Sequence, residues 1–164
     1  MRIIFSPVHP WYIHFSKVLA TFIFCFVTYL IVCLFLSIVV GVNYGGENSW
    51  ALILILALSI FFCSALGVLV CCLLKSESSA NQIISLLVVI FAFLGGLFFP
   101  VNGFGSAISF ASWVSPAKWM LVSTFQIIYD SDFSSLLPAS GILILLSVAS
   151  ILLSIKIFNG EEYL

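Results

Sequence analysis

Residues 78–117 read SSANQIISLLVVIFAFLGGLFFPVNGFGSAISFASWVSPA, without one Lys, Arg, Asp or Glu. A helix needs about 20 mostly apolar residues to cross about 30 Å of hydrocarbon. The tract is too long for one span, and its halves differ. Residues 80–99 hold no proline and are predominantly apolar, whereas beyond Pro100 the chain is interrupted by Gly103, Gly105 and Pro116, with Lys118 following. Irregular backbone at membrane depth has to be buried in protein or line a wet cavity. Residues 80–99 are therefore expected as a span. Residues 101–128 are expected as a re-entrant segment, two short helices that dip into the outer leaflet and return. Ser115 before Pro116 suits the start of the second helix, serine as N-cap and proline at the first helical position. The alternative is a fifth full span.

Working outward, three further tracts are free of charge: Val18 to Gly46, Asn48 to Leu74 and Phe133 to Ile155. With the first they give four spans, about 18–41, 51–74, 80–99 and 138–157. The whole chain is 63% hydrophobic and 7% charged, with a mean hydropathy of +1.33. A soluble domain carries about 25% charged residues, so soluble enzymes and disordered tails are excluded. A net charge of −1 leaves no basic patch for nucleic acid. Membrane β-strands would alternate in short segments, and these runs do not. The expected fold class is an all-α integral membrane protein, a single membrane domain over 1–164 in contact with the lipid bilayer.

The positive charges set the expected orientation. With the N-terminus and C-terminus in the cytoplasm, Arg2, Lys17, Lys75 and Lys156 lie inside the cell membrane and Lys118 lies outside. Glu47, Asp130 and Asp132 then face outward. The N-terminus does not read as a cleavable signal, because its apolar run starts late and is too long. Residues 6–17 read instead as an interfacial helix opened by Ser6 and Pro7. Val8, Trp11, Tyr12 and Phe15 share one face, and His9, Ser16 and Lys17 point elsewhere. The alternative is that this segment is the start of the first span. Ser79 with Gln82 reads as a capping box opening the third span.

Inside lipid, helices associate through small and polar side chains. Each span carries such a stripe. The first has Thr21, Cys25, Thr28, Tyr29, Cys33 and Ser37, and the second has Ser59, Cys63, Gly67 and Cys71, each four apart. The third has Asn81, Ser85, Ala92, Gly95 and Gly96, and the fourth has Ser140, Ser147, Ser150 and Ser154. Helix packing is the expected role of these residues. All five cysteines fall in spans, with no metal or redox spacing, although Cys71 and Cys72 near the inner surface could accept an acyl group.

Catalytic patterns are missing. The chain has no phosphate-binding G-x-x-x-x-G-K-S/T loop, and no cofactor is expected. His9 and His14 stand about 140° apart on a helix, too far around to share a metal, and read as interfacial polar residues. Asp130 and Asp132 read as a solvated cap before the last helix. The expected spans bury no Asp, Glu or His, which ion-coupled carriers commonly do. A solute-moving protein of this kind would draw its energy from another protein.

The stretch LGVLVCCLLKSESSANQIISLLVVIFAFLGGLFFPVNGFGSAISFASWVSPAKWMLVSTFQIIY, residues 66–129, resembles the membrane permease of type-2 ATP-binding-cassette exporters. In that family a span ends near a Gly-rich segment and an aromatic-Pro, here Gly95, Gly96, Phe98, Phe99 and Pro100. A re-entrant helix pair comes next, carrying Asn/Ser-Pro before an aromatic, here Ser115, Pro116 and Trp119. The N-terminal RIIFSPVHPWYIHFSKVLA is similar to the family's cytoplasmic stretch beside the coupling helix. The resemblance implies that Arg2, Ser6, Pro7 and Lys17 sit near a cytoplasmic ATPase subunit, and that the Gly95–Trp119 region forms an outer gate. It also implies pairing with a second permease copy or another membrane subunit. Permeases of the family usually have six spans, and this chain starts where their second half starts. A split subunit, a truncated reading frame and a diverged short relative all fit. The competing expectation is a small multi-pass interaction protein, an immunity or assembly factor, without transport activity.

Overall fold

The computed structural model describes residues 10–41, 46, 49–74, 76–98, 110, 112–113, 115–130 and 132–161. Among them the ordered elements are helical: α1 (Pro10–Val39), α2 (Ser49–Leu74), α3 (Glu77–Gly95), α4 (Pro116–Phe125) and α5 (Leu136–Glu161). A π-helical turn, Gln126–Asp130, continues α4. Four of the helices are long and apolar enough to cross a membrane, over His14–Val39, Ser49–Leu74, Ser78–Gly95 and Leu136–Ile157. The chain is a multi-pass membrane protein. Helix α4 has 10 residues, about 15 Å of rise, roughly half of what a span needs. Among the described residues no fifth helix is long and apolar enough to cross a membrane.

Two expected helix starts move. Of the expected interfacial helix over 6–17, residues 6–9 lie outside the described residues and 10–17 are continuous with the first span, because α1 runs unbroken from Pro10 to Val39. Proline at the first helical position has no amide to leave unpaired, and no glycine or further proline interrupts residues 11–39. The start of the third span also shifts. Ser76 is the N-cap, in extended conformation and without a side-chain cap bond, and its carbonyl accepts the Ala80 amide at 2.9 Å. Ser79 therefore stands inside the first turn, and the Ser79–Gln82 capping box is not formed.

Helix α2 is the centre of the bundle. It packs most extensively on α5, then on α1 and α3. Ala51, Leu52, Ile55 and Phe62 of α2 meet Ile127, Ala139 and Leu143 in one buried cluster. A second cluster joins Val18 of α1, Ala65 of α2 and Ile151 of α5. Apolar burial gains little inside lipid, so close packing has to hold these helices together. The serines of α5 allow it. Ser147, Ser150 and Ser154 are buried, and Ser147 and Ser150 donate to the Leu143 and Leu146 carbonyls of their own helix at 2.7 and 2.8 Å. Ser59 of α2 does the same to Ile55 at 2.7 Å. These small side chains allow close packing, and the Ser59, Ser147 and Ser150 hydroxyls donate within their own helices.

The charges sort to the two ends. His14 near the start of α1 meets Cys72 near the end of α2, Nδ1 to Sγ 3.6 Å, and Val18 packs with Ile151 and Ile155. Lys17 and Lys156 therefore share one end of the bundle. The end of α3 meets the start of α4 at Gly95 and Ala117, which puts Lys118 at the other.

Candidate functional site

The junction between α3 and α4 is where a full span gives way to a short helix, and a close backbone approach and a hydrogen bond join the two. Helix α3 ends in a Schellman motif. Gly96, in the left-handed region at φ 83°, sends its amide to the Phe93 carbonyl at 3.2 Å, and the Leu97 amide reaches Ala92 at 3.1 Å. Only glycine adopts that conformation without strain. Gly95 serves a different purpose. A Cβ there would lie 2.9 Å from the Ala117 Cβ and 3.2 Å from two backbone atoms, Ala117 C and Lys118 N. The missing side chain is what lets α4 approach α3.

Ser115 and Pro116 occupy the expected positions, N-cap and first helical residue. The serine side chain, however, makes no cap bond. Its Oγ donates across the junction to the Phe91 carbonyl of α3 at 3.3 Å, while the Lys118 amide closes the first turn on the Ser115 carbonyl at 3.2 Å. Trp119 donates its indole N–H to the Trp113 carbonyl at 2.9 Å, and the two rings meet edge to face at 5.4 Å.

The residue that sequence reading passed over is Lys118. Its ammonium donates to the Ser112 hydroxyl at 2.9 Å and lies 4.8 Å from the centroid of Trp113. Ser112 is fully buried. Hydrogen bonding to a hydroxyl and a cation–π contact together hold a lysine at the edge of the bundle without a carboxylate. The signal was present as W-x-x-x-x-K-W over Trp113 to Trp119, but that spacing matches no helical period across a proline.

Beyond the junction, Ser123 Oγ donates to the Ser135 carbonyl at 3.4 Å, tying α4 to the start of α5. Asp132 accepts from the Ser134 amide at 2.9 Å and the Ser134 hydroxyl at 2.8 Å. Those two bonds hold its carboxyl below the usual carboxylate range. It is a turn-forming cap.

The expected coupling and gate residues divide between described and undescribed parts. Arg2, Ser6, Pro7, Phe99 and Pro100 lie outside the described residues, as does most of the first re-entrant helix. Lys17 is exposed on α1. His14 departs from expectation: it is 1% exposed, turned inward beside Cys72, while Trp11, Tyr12 and Phe15 face outward.

The stripe on α2 also divides. Ser59 is buried, whereas Cys63 and Cys71 are exposed and a Cβ at Gly67 would meet nothing within 4 Å. Steps of four residues advance about 40° around a helix, so the stripe winds about 120° from Ser59 to Cys71. Its later members line a groove of about 620 Å³ between α1, α2 and α3, together with Lys17, Thr21 and Cys72. Among the described residues no three His, Cys, Asp or Glu side chains converge as metal ligands.

Comparison with known proteins agrees with this architecture. The family model described as ABC-2 type transporter matches residues 1–129, from the N-terminus through α4 and most of the π turn. No curated protein matches the chain, and no solved structure does.

Proposed function

The chain belongs to the ABC-2 type transporter family, and we propose that it is the permease-type membrane subunit of an ATP-driven exporter. Members of this family supply the membrane component and not the nucleotide-binding one. In this reading a separate cytoplasmic ATPase docks on the 2–17 segment, with Arg2, Ser6, Pro7 and Lys17 at the contact. A second permease copy or another membrane subunit completes the translocation path. Gly95, Gly96, Phe99, Pro100, Ser115, Pro116 and Trp119 form the outer gate, and both termini face the cytoplasm.

The observation that carries the reading is the family match over 129 of 164 residues, running in order through the docking segment, three spans and the α3–α4 junction. Two structural features support it. The opposed placement of Lys17 and Lys156 against Lys118 agrees with a cytoplasmic N-terminus by the positive-inside rule. The unbroken α1 gives a push at residues 2–17 a rigid path of about 45 Å, the rise of its 30 residues.

Two measurements test the reading. A tagged chain is expected to recover an ATPase subunit from solubilised membranes. In a background with all five cysteines replaced by serine, Ser134→Cys is expected to react with a membrane-impermeant maleimide on whole cells and Lys156→Cys to be protected. No ATPase in the pull-down, together with unimpaired export after deletion of the gene, overturns the function. The opposite labelling pattern overturns the orientation.

A further inference from the structure

The groove at the Lys17 end of the bundle has a polarity gradient. Its walls are His14, Lys17 and Thr21 of α1, Cys63 to Cys72 of α2 and Ile84 of α3. No carboxylate lines it among the described residues, and Lys17 gives its rim a positive charge. Further in, the hydroxyls are occupied as donors. Thr21 donates to the Lys17 carbonyl and Ser64 to the Ile60 carbonyl, both at 2.9 Å. The inner wall thus offers thiols, the open face of Gly67, Val68 and Ile84. One cation at the mouth and an apolar trough behind it match an amphiphile with an anionic head. The volume, about 620 Å³, lies within the ~300–1,000 Å³ of small-molecule sites. The position agrees as well: Lys17 stands near the start of the long apolar helical stretch that begins at His14, and a lysine stem there can reach the headgroups.

We propose that this groove holds one anionic glycerophospholipid, with its phosphate on Lys17 and an acyl chain along Gly67 and Val68. The proposal goes beyond the transport reading and gives Lys17 to the lipid, leaving the ATPase contact to Arg2, Ser6 and Pro7. The winding α2 stripe then has a physical role: cysteines and glycine hollow out the trough, while Ser59 alone serves helix packing. A helix from a second copy would also fit a small-residue stripe, but seating an apolar helix there would cover Lys17 without offering it a counter-charge.

The test uses the full chain, purified in mild detergent and exchanged into vesicles of equal phosphatidylglycerol and phosphatidylcholine. Lipid retained after re-extraction is read by native mass spectrometry. The chain is expected to keep phosphatidylglycerol in preference. Lys17→Gln is expected to lower the preference about fivefold, the size expected for one lysine at an anionic surface. Gly67→Leu, which fills the trough where nothing lies within 4 Å, is expected to lower retention of both lipids. Lys156→Gln, at the same end but outside the groove, is expected to change neither. An unchanged preference in Lys17→Gln overturns the proposal, as does an equal loss in Lys156→Gln or full retention in Gly67→Leu. Cross-linking of two chains through Cys71 with no retained lipid overturns it in favour of a second copy. Because the readout is lipid on the chain alone, failure here leaves the transport reading standing, and the converse holds.

Discussion

Replacing Gly95 with alanine should unfasten α4 from α3. The new Cβ would sit 2.9 Å from the Ala117 Cβ, against an ordinary carbon–carbon contact of about 3.5–4.0 Å. The next two neighbours, Ala117 C and Lys118 N at 3.2 Å, are backbone and cannot rotate away. Helix α4 therefore has to retreat by roughly the shortfall, about 0.6–1 Å. The Ser115–Phe91 bond beside it already spans 3.3 Å, so the same retreat removes it. Overpacking of this kind costs about 1–3 kcal/mol, and the lost hydrogen bond adds about 1 kcal/mol. Alanine regains at most ~1 kcal/mol of helix propensity, and less at a helix end. The net is about 2 kcal/mol, a shift of roughly 30-fold toward the unfolded state. Unfolding in mixed micelles, followed by the emission of Trp113 and Trp119, reads it. Gly95→Ala paired with Ala117→Gly removes the 2.9 Å contact and leaves those at 3.2 Å, so it should recover part of the loss. A Gly95→Ala protein as stable as the parent, or a double variant no better than the single, would refute the close-approach account.

Lys118→Met keeps the apolar stem and removes the charge. It should release the Ser112 hydrogen bond and the Trp113 contact, destabilising the junction by about 1–2 kcal/mol and changing Trp113 and Trp119 emission. An unchanged spectrum would show that the ammonium holds nothing there. Asp132→Ala should loosen the start of α5 at neutral pH, read by faster amide exchange at Ser134. Since Asp132 is held below its ordinary value of about 3.9 by Ser134, its contribution is fully present above that value and is lost as pH falls through the lower folded one. The difference between parent and variant should therefore vanish in acid and stay flat from neutral pH upward.

The long elements of this fold were legible because lipid enforces one rule on every residue of a span. Length and hydropathy set four long apolar helices apart, and the first apolar stretch runs back through Lys17 to His14. A long amphipathic side chain in a continuous helix can start at the membrane edge and reach out of it. The α2 stripe does not stay on one face of the helix, for a geometric reason. Residues spaced strictly by four drift around the helix, while Ser147, Ser150 and Ser154, spaced by three and four, stay on one side. That distinction was available in the sequence. The Lys118 contacts left only a spacing that no helical period explains, since they join residues across the turn at Ser115.

The junction also constrains how an outer gate could work. Proline-broken spans invite comparison with hinges, and the expected gate rests partly on that ground. Yet Gly95, Gly96, Ser115 and Trp119 each take part in a close contact or hydrogen bond within the α3–α4 unit. Glycine at position 95 serves here to bring backbones together, the opposite of loosening them. A gate at this site would have to move α3 and α4 as one body. Motion would then fall where the bundle is thinner. Within its crossing window α3 is 11% buried and α2 is 33% buried. The fixed partner in such a motion is the α2–α5 pair, which holds Ile55, Phe62, Ala139 and Leu143 in one buried cluster. Fastening the short helix to the mobile span, and leaving the central pair alone, is how a local clamp could serve a larger displacement.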